Sequence, residues 1–222
     1  MKYIVVDLEM NYLPRKYKEE RKICKTEIIQ IGAVCLDEDY KEIDHFMTYV
    51  CPSVNPLVEK QVTELTHITT QMIQGAPRFK EAIRMFFKWC RGFGNVQLFQ
   101  WSESDYIQVK KEMVLSGYVP LPEEYVFMNE PWNDLQDEYD KKIGKIRKTS
   151  LSQALMLMGY DFQGIQHDAL HDTRNEAEIL RIIRNQDECQ KLLGNVMNAL
   201  RDTPFAFTIA DAVDLNAFKL SA

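Results

Sequence analysis

The chain has 222 residues, 33 of them acidic against 27 basic for a net charge of −6, and 45% of it is hydrophobic. A chain this long buries roughly 70–75% of its unfolded surface and needs no staple to hold a core, while 9 glycines and 8 prolines are too few for a low-complexity or collagen-like sequence. The acidic balance also counts against simple electrostatic binding of nucleic acid, whose phosphates are met by Lys and Arg.

In chain order, residues 3–8 (YIVVDL) and 27–36 (EIIQIGAVCL) are apolar, β-branched runs, and 42–50 (EIDHFMTYV) alternates like a half-buried strand. Pro52 and Pro56 stop the sheet, and 63–74 reads as irregular short helix. From Arg78 to Arg91, Phe79, Ile83, Phe86, Phe87 and Cys90 fall at helical spacing on one face. After Gly92 and Gly94, VQLFQW (96–101) is a fourth strand, and 104–115 a helix ended by Gly117 and Pro120. Residues 124–128 (EYVFM) predict a fifth strand, followed by helices near 133–143, 150–158 and 169–186. This order predicts an α/β fold with a mixed central sheet of about five strands flanked by helices. With no repeat or Ser/Gly linker, residues 1–188 read as one domain. Residues 189–222 read as a helical or irregular extension whose FAFTIADAVDLNAF segment has no legible role. The five cysteines (24, 35, 51, 90, 189) form no CxxC pair, and MKYIVVDLEM meets Asp7 and Glu9 too early for a signal-peptide core. Uncharged stretches fall short of the ~18 apolar residues of a membrane span. These features predict a reduced, cytoplasmic protein that makes no use of a membrane.

Asp7 and Glu9 close the first apolar run, and strand residues i and i+2 share a face. Two carboxylates so placed repel unless a cation neutralises them, and hard oxygen ligands suit Mg²⁺ or Mn²⁺. A D-x-E triplet arises about once by chance in such a length, and its bland reading is a solvated strand end. Its position after four apolar residues of a central strand, where a stray charge pair is expensive, weakens that reading. In GIQHDALHDTRNEAEIL, His167 lies on a loop entering a helix and Asp172 in the helix's first turn, where the two can face one site. Asp168 or Asp172 can equally just favour the helix N-terminus. Asp105, in WSESDYI, has the same alternative, with Ser102 as a candidate cap.

Taken together and in order, D-x-E, a later Asp and H-x(4)-D resemble the DEDDh family of 3'-to-5' exonucleases in the ribonuclease H-like superfamily, and within it the ERI-type and KapD-like proteins. EIIQIGAV (27–34), P-x-x-x-P (52–56), LTHIT (65–69), WSESD (101–105) and HDALHDT (167–173) agree, and the resemblance covers residues 3–187. It implies a ribonuclease H-like exonuclease fold in which Asp7, Glu9, Asp105 and Asp172 hold two divalent ions, Mg²⁺ or Mn²⁺. Asp7 would bridge both ions, Glu9 and Asp172 would complete the first site, and Asp105 would hold the second. Two such cations about 3.5–4 Å apart can clamp an in-line displacement, with His167 as the base, a task suited to a pKa near ~6.5. His171 is a second imidazole, but only His167 has the motif spacing. The implied reaction is hydrolysis of single-stranded nucleic acid from its 3' end to nucleoside 5'-monophosphates, with RNA favoured over DNA because ERI-like relatives lean that way. Met10, Thr66, His67 and Trp101 lie in segments that resemble substrate-contacting ones. The rivals are DNA proofreading or repair, a short-oligonucleotide exonuclease, or a non-catalytic binding module on the same fold; an intact set of five residues argues against the last.

Two basic clusters answer the charge objection. Arg15, Lys16, Lys18, Arg21, Lys22 and Lys25 face only Glu19 and Glu20 in their segment, and Lys141, Lys142, Lys145, Arg147 and Lys148 have no acid among them. Each is either a solvated face or a guide for a phosphate backbone. A single-stranded end would bind by stacking and backbone contact.

Overall fold

A computed structural model describes residues 1–145 and 147–201 of the chain. At its centre is β1 (Lys2–Tyr12), where Ile4, Val5 and Val6 are wholly buried because both faces of the strand meet other elements. β2 (Thr26–Leu36) pairs antiparallel with β1, and β3 (Glu42–Tyr49) antiparallel with β2. On the other side β4 (Val96–Gln100) runs parallel to β1, and β5 (Asn133–Asp134) parallel to β4. The sheet order is β3-β2-β1-β4-β5, a mixed five-strand sheet.

Helices cover both faces. α4 (Phe79–Arg91) and α5 (Ser104–Ser116) pack on the side of Ile4, Val6 and Leu8, and all five apolar α4 positions read from the spacing are buried there. Each such side chain contributes roughly 1.5–3 kcal/mol on full burial. α6 (Leu135–Ile143), α7 (Leu151–Leu157), α8 (Ala169–Arg184) and α9 (Gln186–Arg201) cover the opposite face, that of Val5, Val34 and Phe99. The short helices α1 (Glu20–Ile23), α2 (Lys60–Thr66) and α3 (Thr70–Ile73) lie in the connections that follow β1 and β3. The predicted 63–74 helix is thus two pieces.

The fifth strand is corrected, and the last helix expected is refined at its end. Residues 124–128 form no strand but a 3₁₀ turn, Tyr125–Phe127, in which Phe127 alone is buried while Tyr125 and Val126 stay 45% and 67% exposed. The fifth strand is instead the polar pair Asn133–Asp134, held by pairing with Phe99–Gln100 and by Asn133 Nδ2 donating to the Leu98 carbonyl at 2.8 Å. The helix predicted over 169–186 stops at Arg184, where Asn185 turns extended, and α9 restarts at Gln186. Residues 189–201 are therefore helical, and Cys189, Leu193 and Met197 join the core beneath α8. FAFTIADAVDLNAF lies outside the described residues. Among the described residues no helix is long and apolar enough to cross a membrane, and all five cysteines are free and buried.

Candidate active site

The strand pleat sends Asp7 and Glu9 to the face that carries α8. What lets α8 approach is Gly32, the cross-strand partner of Asp7. A Cβ at residue 32 would lie 2.3 Å from the carbonyl carbon of Ala169, so any side chain would push the start of the helix away. Gln30, the fully buried neighbour of Glu9 on β2, fixes the helix in place. Its amide donates to Asp168 Oδ2 at 3.2 Å and its carbonyl oxygen accepts from the Ala169 backbone at 3.1 Å. Asp168 caps α8 by accepting from the His171 backbone N–H at 3.1 Å. One turn in, Asp172 is 8% exposed and faces Glu9, itself 8% exposed.

Asp105 arrives from the other side. β1 and β4 run parallel, so the end of β4 and the start of α5 lie beside Asp7. Gln100 locks that turn: its Oε1 accepts from the Tyr106 backbone at 2.8 Å and its amide donates to the Trp132 carbonyl at 3.2 Å. Ser102 does not cap α5 as expected. The N-cap is Glu103, with no side-chain bond, and the Ser102 hydroxyl instead meets that of Ser104 at 2.7 Å.

His167 sits exposed on the loop before α8 with a φ of 63°. A nitrogen of its ring and one oxygen each of Glu9 and Asp172 lie within 4.8 Å of one another. His171 is occupied elsewhere. Its Nδ1 accepts from the Ile165 backbone at 3.3 Å, and its ring packs on Gly164, where a Cβ would come within 2.6 Å of it.

These groups surround one cavity of about 420 Å³, lined by Asp7, Glu9, Asp105, His167 and Asp172, with Met10, Tyr12, Trp101 and Phe162 as its apolar wall. Thr66 and His67 are not among the lining residues. Thr66 is the buried last residue of α2, its hydroxyl donating to the Val62 carbonyl at 2.9 Å and accepting from the Ile68 N–H at 3.1 Å, and His67 caps that helix in a left-handed conformation. Among the lining residues that the sequence does not single out is a further acid, Glu176, 1% exposed. The signal available was its place four residues after Asp172, which puts both on one helix face.

No residue of either basic cluster lines the cavity, but parts of both are neighbours in sequence of residues that do. The 15–25 segment joins β1 to β2, whose ends Tyr12 and Thr26 line the cavity, and Arg147 and Lys148 stand exposed just before Ser150 on the same lining.

Carboxylates packed this closely in a dry site resist ionisation. Burial, then the charges of Asp105, Glu176 and Glu9, hold Asp7 well above the ordinary carboxylate range. Burial and then Asp172 and Asp105 push Glu9 up to about 9. Burial pushes Asp105 up to about 8 against a hydrogen bond from Ser104, and Asp172 up to about 7 against one from the His167 backbone. Among the described residues, no Lys or Arg forms an ion pair with any of the five acids. One oxygen, Oε2 of Glu176, is buried with no partner at all. An all-oxygen set with one imidazole, short of donors and of positive charge, fits hard divalent cations such as Mg²⁺ or Mn²⁺.

Comparison with known proteins identifies the family. Residues 4–180 match the RNase_T family model, described as exonuclease. A mouse protein named ERI1 exoribonuclease 2 is 30% identical over 193 residues, covering 78% of this chain and 27% of its own length. A human 3'-5' exoribonuclease 1 is 24% identical over 183 residues, covering 78% of this chain and 50% of its own. The chain therefore spans only about a quarter to a half of these curated relatives. The crystallographic structure of the nuclease domain of 3'hExo, described as a DEDDh family member bound to rAMP, superposes with a TM-score of 0.71 at 22% identity, covering 85% of this chain and 94% of that one. E. coli Exonuclease I in complex with a dA16 oligonucleotide superposes with a TM-score of 0.60 at 12% identity, covering 90% and 43%. These likenesses establish the DEDDh exonuclease, ribonuclease H-like fold.

Proposed function

This chain belongs to the RNase_T exonuclease family, and from that premise we propose that it is a metal-dependent 3'-to-5' exonuclease that hydrolyses single-stranded nucleic acid, RNA in preference to DNA, to nucleoside 5'-monophosphates. The observation that carries the reading is the convergence of Asp7, Glu9, Asp105, His167 and Asp172 on one cavity from β1, α5, α8 and the loop before it. Two divalent cations, when bound, activate a water and stabilise charge on the attacking and leaving oxygens of an in-line displacement. Asp7, Glu9, Asp105 and Asp172 would hold these ions with their carboxylate oxygens.

His167 takes the proton of the attacking water. Its nearness to Glu9 and Asp172 would also suit a metal ligand. Ligating histidines, however, usually have their other ring nitrogen fixed by a hydrogen bond, and no such bond holds His167 among the described residues. An exposed, unanchored imidazole beside the acids is suited to moving a proton between the site and solvent. Met10, Tyr12, Trp101 and Phe162 offer apolar surface to the terminal base, where stacking contributes roughly 1–3 kcal/mol per base. The basic segments around 15–25 and 147–148 draw the phosphate backbone toward the opening. Preference for RNA is supported by the names of the exoribonuclease relatives. The free, buried cysteines suit a reducing compartment, and we place the activity in the cytoplasm.

The test is digestion of 5'-labelled single-stranded RNA and DNA by the purified chain with Mg²⁺, Mn²⁺ or EDTA, beside Asp7→Ala. A ladder shortening from the 3' end, faster on RNA and lost with EDTA or Asp7→Ala, is the expected result. Equal ladders from wild type and Asp7→Ala would refute the assignment.

A further inference from the structure

We propose, building on the metal-dependent reading above, that Glu176 is a fifth acidic donor of the same centre, serving the cation on the Asp7–Asp105 side. Glu176 follows Asp172 by one helical turn on α8, so the two side chains share the face turned to β1 and the cavity. It is 1% exposed, it lines the cavity, and its Oε2 is buried without a hydrogen-bond partner. Leaving a buried acceptor unmatched is costly, and leaving a buried charge unmatched more so.

Other deeply buried acids of this protein show how a structural role is satisfied. Glu27 accepts three backbone N–H groups, from Ser53, Val54 and Asn55, at 2.7–2.9 Å. Glu112 accepts from the Ile28 backbone at 2.8 Å and from Gln108 at 3.1 Å. Glu124 accepts from the Leu121 backbone at 2.7 Å and from the Tyr118 hydroxyl. Glu176 makes no comparable side-chain bond, and what it faces is other carboxylates. A carboxylate that does nothing for the scaffold yet is kept buried against four others is matched by a cation.

The side follows from its neighbours. Glu176 is not part of the group of side-chain atoms that Glu9, His167 and Asp172 bring within 4.8 Å of one another. Glu9 and Asp172 therefore face one another beside His167 without it. Glu176 therefore stands where Asp105 alone would complete the second position.

The experiment is a Mn²⁺ titration of the metal-stripped full chain, following free Mn²⁺ by electron paramagnetic resonance, with thermal unfolding in parallel. Wild type is expected to take up two ions. Glu176→Gln is expected to keep the tighter site within about threefold and to weaken the other at least tenfold, with a smaller Mn²⁺-induced rise in Tm. Glu176→Leu supplies the same reading with an apolar replacement should the amide misfold, and circular dichroism checks both folds. Wild-type affinity at both sites in either folded variant would overturn the proposal and make Glu176 a packing residue. Absence of Mn²⁺ uptake by wild type would overturn the metal-dependent reading itself, so the two failures are distinguishable.

Discussion

Helix α5 carries two buried carboxylates, seven residues apart, with opposite fates. Asp105 is 4% exposed and Glu112 2%, and burial pushes both up to about 8. Glu112 gives its Oε2 to the scaffold, accepting from the Ile28 backbone on β2 and from Gln108 on its own helix. Asp105 receives a hydrogen bond from Ser104 and otherwise faces a cavity shared with four more acids. Burial and a raised pKa, common to both, therefore do not separate the acid we propose for the site from the structural one. Unused acceptor capacity beside other charges does.

The pair can be broken by substitution. Asp105→Asn is expected to lower the 3'-end cleavage rate by roughly 10²–10³-fold, without destabilising the metal-free fold, because the carboxyl it replaces makes no bond to the scaffold beyond that from Ser104. Glu112→Ala is expected to leave the rate per folded molecule unchanged and to cost roughly 2–4 kcal/mol in urea unfolding. It strands the Ile28 N–H and the Gln108 amide and opens a cavity. Similar losses of rate and stability in both variants would erase the distinction.

His167→Gln sharpens the site half of the comparison. Loss of a general base lowers the rate by roughly 10²-fold or more, while Mn²⁺ affinity stays close to that of wild type. A parallel loss of metal binding would recast His167 as a ligand.

The smallest effect is in pH. Unfolded carboxyls titrate near ~4, but in the fold Glu9, Asp105 and Asp172 are pushed up to about 9, 8 and 7. The metal-free folded state thus keeps protons that the unfolded chain has released. This contribution to stability is complete below about pH 4 and is lost as pH rises through 7 to 9. Thermal melts in EDTA are expected to show Tm falling between pH 5 and 9, and saturating Mn²⁺ to reverse the slope by displacing those protons. A flat profile in EDTA would contradict the account.

Much of this was legible in the residues. The apolar runs of β1, β2 and β4 and the spacing of α4 announce their elements because each buries a contiguous apolar face. The edge strand β5 and the turn at Tyr125–Phe127 were not. β5 is two polar residues held by pairing and by the Asn133 side chain, which leaves no hydrophobic trace. EYVFM looked like a strand because its residues favour extended structure, yet only one of the turn's three side chains reaches the core. Asp7, Glu9, Asp105, His167 and Asp172 could be gathered by motif, and Gly32 lay in plain view within EIIQIGAV without revealing that it makes room for α8. Glu176 escaped because it belongs to an acid-rich helix in which Glu178, two residues on, is an ordinary ion-pair partner of Arg181. Spacing alone does not tell the two apart.

The central claim is that these acids are balanced by cations, and anomalous diffraction from crystals grown with Mn²⁺ measures it directly. Two anomalous peaks roughly 3.5–4 Å apart, bounded by Asp7, Glu9, Asp105, Asp172 and Glu176, are the predicted result. A cavity without anomalous density at saturating Mn²⁺ would contradict it.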